Sequence, residues 1–482
     1  MVFFDPHFVQ SIHFVGIGGI GMSGIAEILH NQGYAVRGSD LKENANTQRL
    51  KALGIPITLG HKEENILGAQ CLVVSTAIPH NNPELVAARR YRLPVLTRGE
   101  MLGEIVRFKK AIAISGTHGK TTTTSLIATI LKAADLDPTI INGGIINTLQ
   151  TNARLGNGDW MVVEADESDG SFLKIPSLIN IVTNIDCEHM NYYKTEENLE
   201  KAFKTFLRNL PFYGLGVVCT DHPRVKKIFD EGVDRRLVSY GFEGTPHVKA
   251  ENVRSTGEGS FFDVVITQEV PCLLGTRGPN ILPSHKIHDV YIPTLGRHNI
   301  LNVLAAMATA HELGIPVEIC KTALMSFQGV HRRFTRLGVR DGVAFIDDYA
   351  HHPAEIRAVL EAARQTSPKR VCVIFQPHRY TRFSQLFDEF KAVLSTADLV
   401  VTLPVYAAGE TPIEGFTHQS FAEALRPSLG DKTLSADTLE ELGNVLSSLT
   451  QEGDLVVGMG AGNITDILTQ LFAGFRREGK TP

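Results

Sequence analysis

Short apolar runs recur along the chain, each closing on glycines or a polar cluster and each followed by a stretch with helical spacing. Ile12–Val15, Tyr34–Gly38, Gln70–Thr76, Ala111–Ile114, Trp160–Val163, Leu178–Asn184, Val371–Phe375 and Asp454–Val457 read as strands. Met22–Asn31, Thr122–Ala134, Val303–Leu313 and Ala354–Ala363 read as helices between or after them. Strands that alternate with helices predict parallel sheets, with ligands gathered at the carboxyl ends of the strands. At 482 residues the chain is too long for one core, and about three domains are expected, at 1–109, 110–329 and 330–482.

The formal charge of -5 comes from acids and bases mixed along the chain, which excludes a wholesale attraction to nucleic acid or to an anionic membrane. Anionic ligands must therefore be held by local sites. The six cysteines lack metal-type spacing and read as reduced core thiols. Met1–Ser11 has no basic and apolar leader, and no apolar run approaches a membrane span, so no membrane insertion and a cytoplasmic location are expected.

The strongest chemical signal is Ser115-Gly116-Thr117-His118-Gly119-Lys120-Thr121-Thr122 after the run Ala111–Ile114. Two glycines let backbone N–H groups face phosphate oxygens, Lys120 adds a positive charge, and the Thr121 hydroxyl can complete a Mg2+ shell. An earlier turn, Gly16-Ile17-Gly18-Gly19-Ile20-Gly21, has the G-x-G-x-x-G form, with Asp40 where dinucleotide folds contact a ribose. NAD and a sugar-nucleotide diphosphate suit that turn equally. A third glycine turn, Gly458–Gly462, reads as a similar loop or as plain strand-to-helix packing.

Other strand ends add charge. Glu164, the first acid after Trp160–Val163, is placed to hold Mg2+, whereas Asp166, Glu167 and Asp169 read as caps of the following turn. His189, beyond Leu178–Asn184, is a metal or phosphate candidate. Asn299 and Asn302 lie one helical turn apart and suit an adenine edge, with helix capping an equal reading for Asn299. Arg332-Arg333 sits at a domain junction, from which an arginine can reach a transferring phosphoryl group, or else forms a solvated pair. Two polar loops, at Asp347–Pro353 and Gln376–Arg382, converge on one crevice whose basic groups would hold a carboxylate.

Gly116–Thr121, Glu164–Asp169, Gly296-Arg297-His298-Asn299 and Asp347–Pro353 together resemble the Mur ligase family, in order and spacing over nearly the whole chain. Gly16–Glu27 and Asn209–Gly214 are most similar to its alanine-adding branch. The resemblance implies an α/β chain of three domains: a Rossmann-like N-terminal domain for the UDP-sugar, a central P-loop ATPase domain with a mostly parallel sheet, and a C-terminal Rossmann-like α/β domain for the amino acid. It implies ATP and Mg2+ (or Mn2+ in its place) as cofactors, UDP-N-acetylmuramate and L-alanine as substrates, and an acyl phosphate between them. By similarity Lys120, Glu164, His189 and Arg333 are catalytic, and Thr121, Glu164 and His189 bind metal. Gly116 to Thr122, Asn299, Asn302, Arg333 and Asp348 would bind ATP. Gly18, Gly19, Gly21, Asp40, Ser75 and His118 would bind the UDP-sugar, and His351, Arg379 and Arg382 the amino acid. A monomer or homodimer with small-molecule partners and no nucleic acid is expected. A tripeptide ligase of cell-wall recycling is the rival within the family, and an NAD-dependent oxidoreductase the rival outside it. The stretch 268–293 reads as an extended hairpin loop without a role.

Overall fold

The computed structural model describes residues 9–75, 77–107, 109–147, 151–267 and 285–476. The described residues form three sheets. The first contains β1 (Ser11–Val15), β2 (Ala35–Asp40), β3 (Ile57–Leu59), β4 (Cys71–Val74) and β5 (Val95–Thr97) in the order β3-β2-β1-β4-β5, all parallel. Its helices are α1 (Ile20–Asn31), α2 (Ala45–Ala52), α3 (Pro83–Arg90) and α4 (Arg98–Val106). The strand order reverses between β1 and β4, and the first glycine turn leaves β1 at that point, where open parallel sheets place their crevice.

The second sheet contains β6 (Lys110–Ser115), β7 (Thr139–Ile146), β8 (Thr151–Arg154), β9 (Trp160–Glu164), β10 (Ile179–Val182), β11 (Leu215–Cys219) and β12 (Arg236–Gly241). It continues through β13 (Val248–Ser255), β14 (Ser260–Ile266) and β15 (His285–Ile292), and its order is β15-β14-β13-β12-β11-β10-β6-β9-β7-β8. β6 lies between β10 and β9, parallel to both. Its helices include α5 (Lys120–Ala133), the single turn α6 (Met190–Tyr193), α7 (Glu196–Arg208) and α8 (Pro223–Glu231). The third sheet runs β16-β17-β21-β18-β19-β20, from β16 (Thr335–Arg340), β17 (Val343–Asp348), β18 (Val371–Phe375), β19 (Leu399–Thr402), β20 (Thr433–Ser435) and β21 (Leu455–Met459). Only its edge pair β16 and β17 is antiparallel.

Along β18, Val371, Val373 and Phe375 join one apolar cluster, and Cys372 and Ile374 join another. This alternation is what a strand covered on both faces requires. The chain gathers into two compact units: Met1–Glu251 with Phe262–Val290 and Leu301–Gln328, and Asn252–Phe261 with Tyr291–Ile300 and Gly329–Pro482. In the first unit a single core links the first two sheets, from Phe14 and Ile25 through Met101 and Ile105 to Ala113, Met161 and Phe172.

The departures from the expected elements have local causes. α5 starts at Lys120 rather than Thr122, because Gly119 is left-handed at φ 83 and turns the chain directly into the helix. β10 stops at Val182 rather than Asn184, because Thr183 and Asn184 bend away to bond the glycine loop. The helix expected at Val303 begins at Arg297. Cys71, Cys219, Cys320 and Cys372 are buried thiols as expected, but Cys187 is exposed, since it lies past a strand end rather than inside a strand. Cys272, the tail 477–482 and the expected loop as far as 284 lie outside the described residues; from His285 to Ile292 that stretch is a strand. No helix among the described residues is long and apolar enough to cross a membrane.

Candidate active site

Three neighbouring parallel strands of the second sheet deliver the central chemistry at their carboxyl ends: β6 the glycine loop, β9 the acids, and β10 the segment Thr183–His189. The Lys120 ammonium folds over its own loop, donating to Gly116 O at 2.5 Å, Thr117 O at 3.1 Å and Glu167 Oε1 at 2.9 Å. Burial alone would lower the pKa of Lys120, but Glu167, Glu164 and Asp166 outweigh it and raise it, so the lysine is a fixed cation. Glu167 was expected only to cap a turn. Instead it is buried, pairs with Lys120, lies 3.6 Å from His189 Nε2, and keeps Oε2 buried without a hydrogen-bond partner. The two acids beside it do cap, with Asp166 Oδ1 accepting from Ser168 N and Asp169 Oδ1 from Ser171 N.

Glu164 accepts from Gly143 N at 2.8 Å. His189 takes a left-handed φ of 58 at the start of α6, with Nε2 also 3.6 Å from Glu188 Oε2. Among the described residues no group of three or more His, Cys, Asp or Glu is spaced to hold a metal ion by itself. Mg2+ does not ask for one, since it is held by one or two carboxylates with phosphate oxygens and water. The buried, unpartnered oxygen of Glu167 and the hydroxyl of Thr121 are donors of the right hardness for it.

Asn302 is brought to the glycine loop: its Oδ1 accepts from Thr123 Oγ1 at 3.2 Å and stands 2.6 Å from where a Cβ on Gly119 would lie. A side chain at position 119 is thus barred by contact as well as by φ. Asn299 lies inside the first turn of the helix that begins at Arg297 and donates Nδ2 to Leu295 O at 2.7 Å, which is not the N-cap bond, where a side-chain oxygen would accept.

At the first glycine turn Ser39 O accepts from Gly16 N and Ile17 N, and Asp40 Oδ2 accepts from Gly18 N at 2.8 Å. Asp40, expected at a ribose, thus spends one oxygen on closing the loop. A Cβ on Gly18 would lie within 3 Å of Asn44, Thr47 and Asp40, so the loop admits no side chain there. Ser75 faces Gly16 across the turn, and Gly19 is the residue from which α1 starts. Above Gly21 stands Arg98, which the sequence reading did not single out; its Nη2 donates to Asp166 Oδ2 at 2.9 Å and links the first loop to the acids of the second sheet. The signal for it was Thr97-Arg98-Gly99-Glu100, a capping box at the head of α4.

In the second unit Asp348 is a buried strut, accepting from Phe334 N at 2.8 Å and Ala350 N at 2.7 Å. Burial pushes its carboxyl up to about 6 against the pull of Arg333 and those two N–H groups. Glu355 ties Arg333, at 3.5 Å, to His351, at 3.3 Å, and was missed because an acid in a helix's first turn reads as a dipole partner. Arg332 turns away from any phosphoryl role: it donates to Gly460 O and Gly462 O, filling the third glycine turn, which is therefore packing. Arg379 has a left-handed φ of 67 and leads a short helix that carries Arg382. Beside them His378 stacks on Tyr406 and meets the edge of His351. Burial, then His351, Arg382 and Arg379, push the His378 imidazole down to about 4, so it is neutral at neutral pH.

Comparison with known proteins identifies the family. Models of the Mur ligase catalytic, middle and glutamate ligase domains match residues 11–110, 114–310 and 332–462. A protein named UDP-N-acetylmuramate--L-alanine ligase from Brucella anthropi is 52% identical over 475 residues, 98% of this chain and 99% of that protein. One of the same name from Brucella ovis is 51% identical over 478 residues, again 98% and 99%. The crystal structure of UDP-N-acetylmuramate-alanine ligase from Thermotoga maritima superposes with a TM-score of 0.78 at 30% identity, covering 96% of this chain and 98% of that one. A murein peptide ligase from Psychrobacter arcticus shares the fold, with a TM-score of 0.69 at 21% identity over 96% of this chain and 98% of that one.

Proposed function

The chain belongs to the Mur ligase family, and on that premise we propose how its residues carry out the reaction. It is an ATP-dependent ligase that joins L-alanine to the carboxylate of UDP-N-acetylmuramate through an acyl phosphate, giving ADP and phosphate in peptidoglycan precursor synthesis. The observation that carries the residue assignment is the Lys120 cation held by Glu167 across the Gly116–Gly119 loop. Two anions, a triphosphate and a carboxylate, must approach each other, and a fixed cation with loop N–H groups lowers that barrier.

Thr121, Glu164, Glu167 and His189 would hold Mg2+, or Mn2+ in its place, which supplies charge neutralisation at the phosphates. Lys120 orients the transferring phosphoryl group, and Asn302 keeps the loop free of side chains at Gly119. Gly18, Gly19, Gly21, Asp40 and Ser75 take the UDP diphosphate and ribose side of the sugar nucleotide, supported by backbone N–H groups at the head of α1. His351, Arg379 and Arg382 take the amino acid, whose carboxylate suits two guanidinium groups, and Asn299, Arg333 and Asp348 serve the nucleotide. The muramate carboxylate oxygen attacks the γ-phosphorus and ADP leaves; the neutral amine of L-alanine then attacks the acyl carbon, the bond from that carbon to the phosphate oxygen breaks, and the amine's proton leaves with the phosphate, giving the amide. The segments 1–109, 110–329 and 330–482 are the sugar, ATP and amino-acid domains, and the protein works in the cytoplasm as a monomer or homodimer without a nucleic-acid partner.

Phosphate release from ATP is the test, with UDP-N-acetylmuramate and, in turn, L-alanine, glycine, L-serine and the L-alanyl-γ-D-glutamyl-diaminopimelate tripeptide. Release that needs both the sugar nucleotide and L-alanine is expected. A preference for the tripeptide would move the enzyme from synthesis to recycling, and oxidation or reduction of a nicotinamide would end this reading.

A further inference from the structure

Past β10 the segment Asn184–Cys187 grips the central glycine loop from below. Thr117 N donates to Asn184 O at 3.1 Å, His118 N to Asn184 Oδ1 at 2.7 Å, and Asp186 N to Thr117 Oγ1 at 2.8 Å. The same segment is held from its far side by the head of α8. Arg224 Nη1 donates to Ile185 O at 3.0 Å, and His222, the residue before the helix, places Nε2 3.3 Å from Asp186 Oδ1. The other oxygen of Asp186 lies 3.3 Å from Nε2 of His118. One carboxylate therefore stands between an imidazole in the nucleotide loop and an imidazole on the loop after β11, to which no ligand role attaches.

We infer that His222 is a positioning residue for the nucleotide: it fixes the carboxylate plane of Asp186, and through it the ring of His118, in the orientation in which the loop receives the triphosphate. This rests on the assignment of the Gly116–Gly119 loop to ATP. Asp186 Oδ1 is hydrogen-bonded to His222 Nε2 while Oδ2 faces His118 Nε2 at ion-pair distance, and a carboxylate held through one oxygen cannot turn the other freely. Burial would raise the pKa of Asp186, and its bonds to the two histidines outweigh that and lower it, so it is ionised and accepts only. Each ring then presents an Nε2–H to it, and that choice settles what Nδ1 of His118 can offer.

The experiment is steady-state ligase kinetics on the full chain, with ATP and L-alanine varied separately, for His222→Ala and His222→Gln. The alanine variant should raise the KM for ATP about tenfold, the loss of one charge-assisted hydrogen bond, and leave that for L-alanine within about twofold. Glutamine, whose amide can still donate to Asp186, should bring the KM for ATP back to within about twofold of wild type. An unchanged KM for ATP in His222→Ala, equal rises in both KM values, or equal damage from alanine and glutamine would each overturn the inference. Should His222→Ala fail to fold, Asp186→Asn read by the same pair of KM values decides in the same way. Wild-type protein without ATP-dependent ligation would sink the functional reading itself, whereas a working wild type with an indifferent His222 sinks this inference alone.

Discussion

The two glycine loops of the first unit rest on the same device, a carboxylate between two histidines, and use it differently. Below the first loop Glu84 lies 3.1 Å from His13 Nε2 and 3.5 Å from His61 Nδ1, accepts from Ser39 Oγ at 2.7 Å and Asn65 Nδ2 at 2.5 Å, and is wholly buried. Below the second, Asp186 has His118 and His222, and its side chain is 30% exposed. Ser39, which Glu84 holds, is the residue whose carbonyl closes the first loop, so the sealed carboxylate supports a backbone shape. Asp186 instead faces, at 3.3 Å, a side chain that belongs to its loop. A sealed network of this kind serves folding, and an accessible one can serve a ligand.

The largest effect expected from breaking the parallel is at Glu84. Glu84→Ala leaves the buried His13 Nε2 without its partner and takes one bond each from Ser39 and Asn65, and should cost roughly 3–5 kcal/mol of stability, read by thermal or urea unfolding. The same change at Asp186 should move the melt far less. Burial alone would raise the pKa of Glu84; its bonds from His13, Asn65 and Ser39 outweigh that and hold it below the ordinary 4.5. A lowered folded pKa gives stability that is present above the unfolded value and lost as pH falls through the folded one. Unfolding followed downward from about pH 5 should therefore show a loss that Glu84→Gln removes. Equal melts for the Glu84 and Asp186 variants at neutral pH would dissolve the distinction.

Next in size is Lys120→Ala. At the first loop the neighbouring cation, Arg98 above Gly21, comes from α4 rather than from the loop itself, and the strand end offers Asp40, already spent on Gly18 N. Removing Lys120 should lower kcat by roughly 10²–10³, about 3–4 kcal/mol of transition-state stabilisation, and it also leaves the buried Glu167 carboxylate unpaired. Rapid-quench measurement of acyl-phosphate formation checks it; a loss confined to the KM for L-alanine would place Lys120 elsewhere in the cycle.

Much of this was legible in the sequence. The glycine loops, the strand-end acids and the order of strands and helices follow from period and turn chemistry, which are local. The parts that were not legible depend on which side chain points inward after a strand ends. Position along the strand favours Glu164 over Asp166, Glu167 and Asp169, and only the turn after β9 selects Glu167 for Lys120. Arg98 and Glu355 act across sheet layers or a helix turn, and Asp186 and His222 stand 36 positions apart, so no local pattern pairs them.

The smallest expected effect sharpens the second half of the comparison. Cys187 ends the segment that carries Asp186, donating Sγ to Glu196 Oε1 at 2.8 Å and accepting from Arg224 Nη2 at 3.0 Å. It thus shares Arg224 with the Ile185 carbonyl, and is exposed enough to seem a reactive handle on the glycine loop. Its thiol is nevertheless held up by burial and by the Glu196 bond against the pull of Arg224, so little thiolate is present at neutral pH. Serine can both donate and accept at the same place, and Arg224 keeps its separate bond to Ile185 O. Cys187→Ser should therefore leave the KM for ATP within about twofold, and thiol alkylation should be slow. A large rise in that KM would mean that the segment is held through the sulfur rather than through His222 and the Ile185 carbonyl, and the sealed loop below β1 would then have no accessible counterpart.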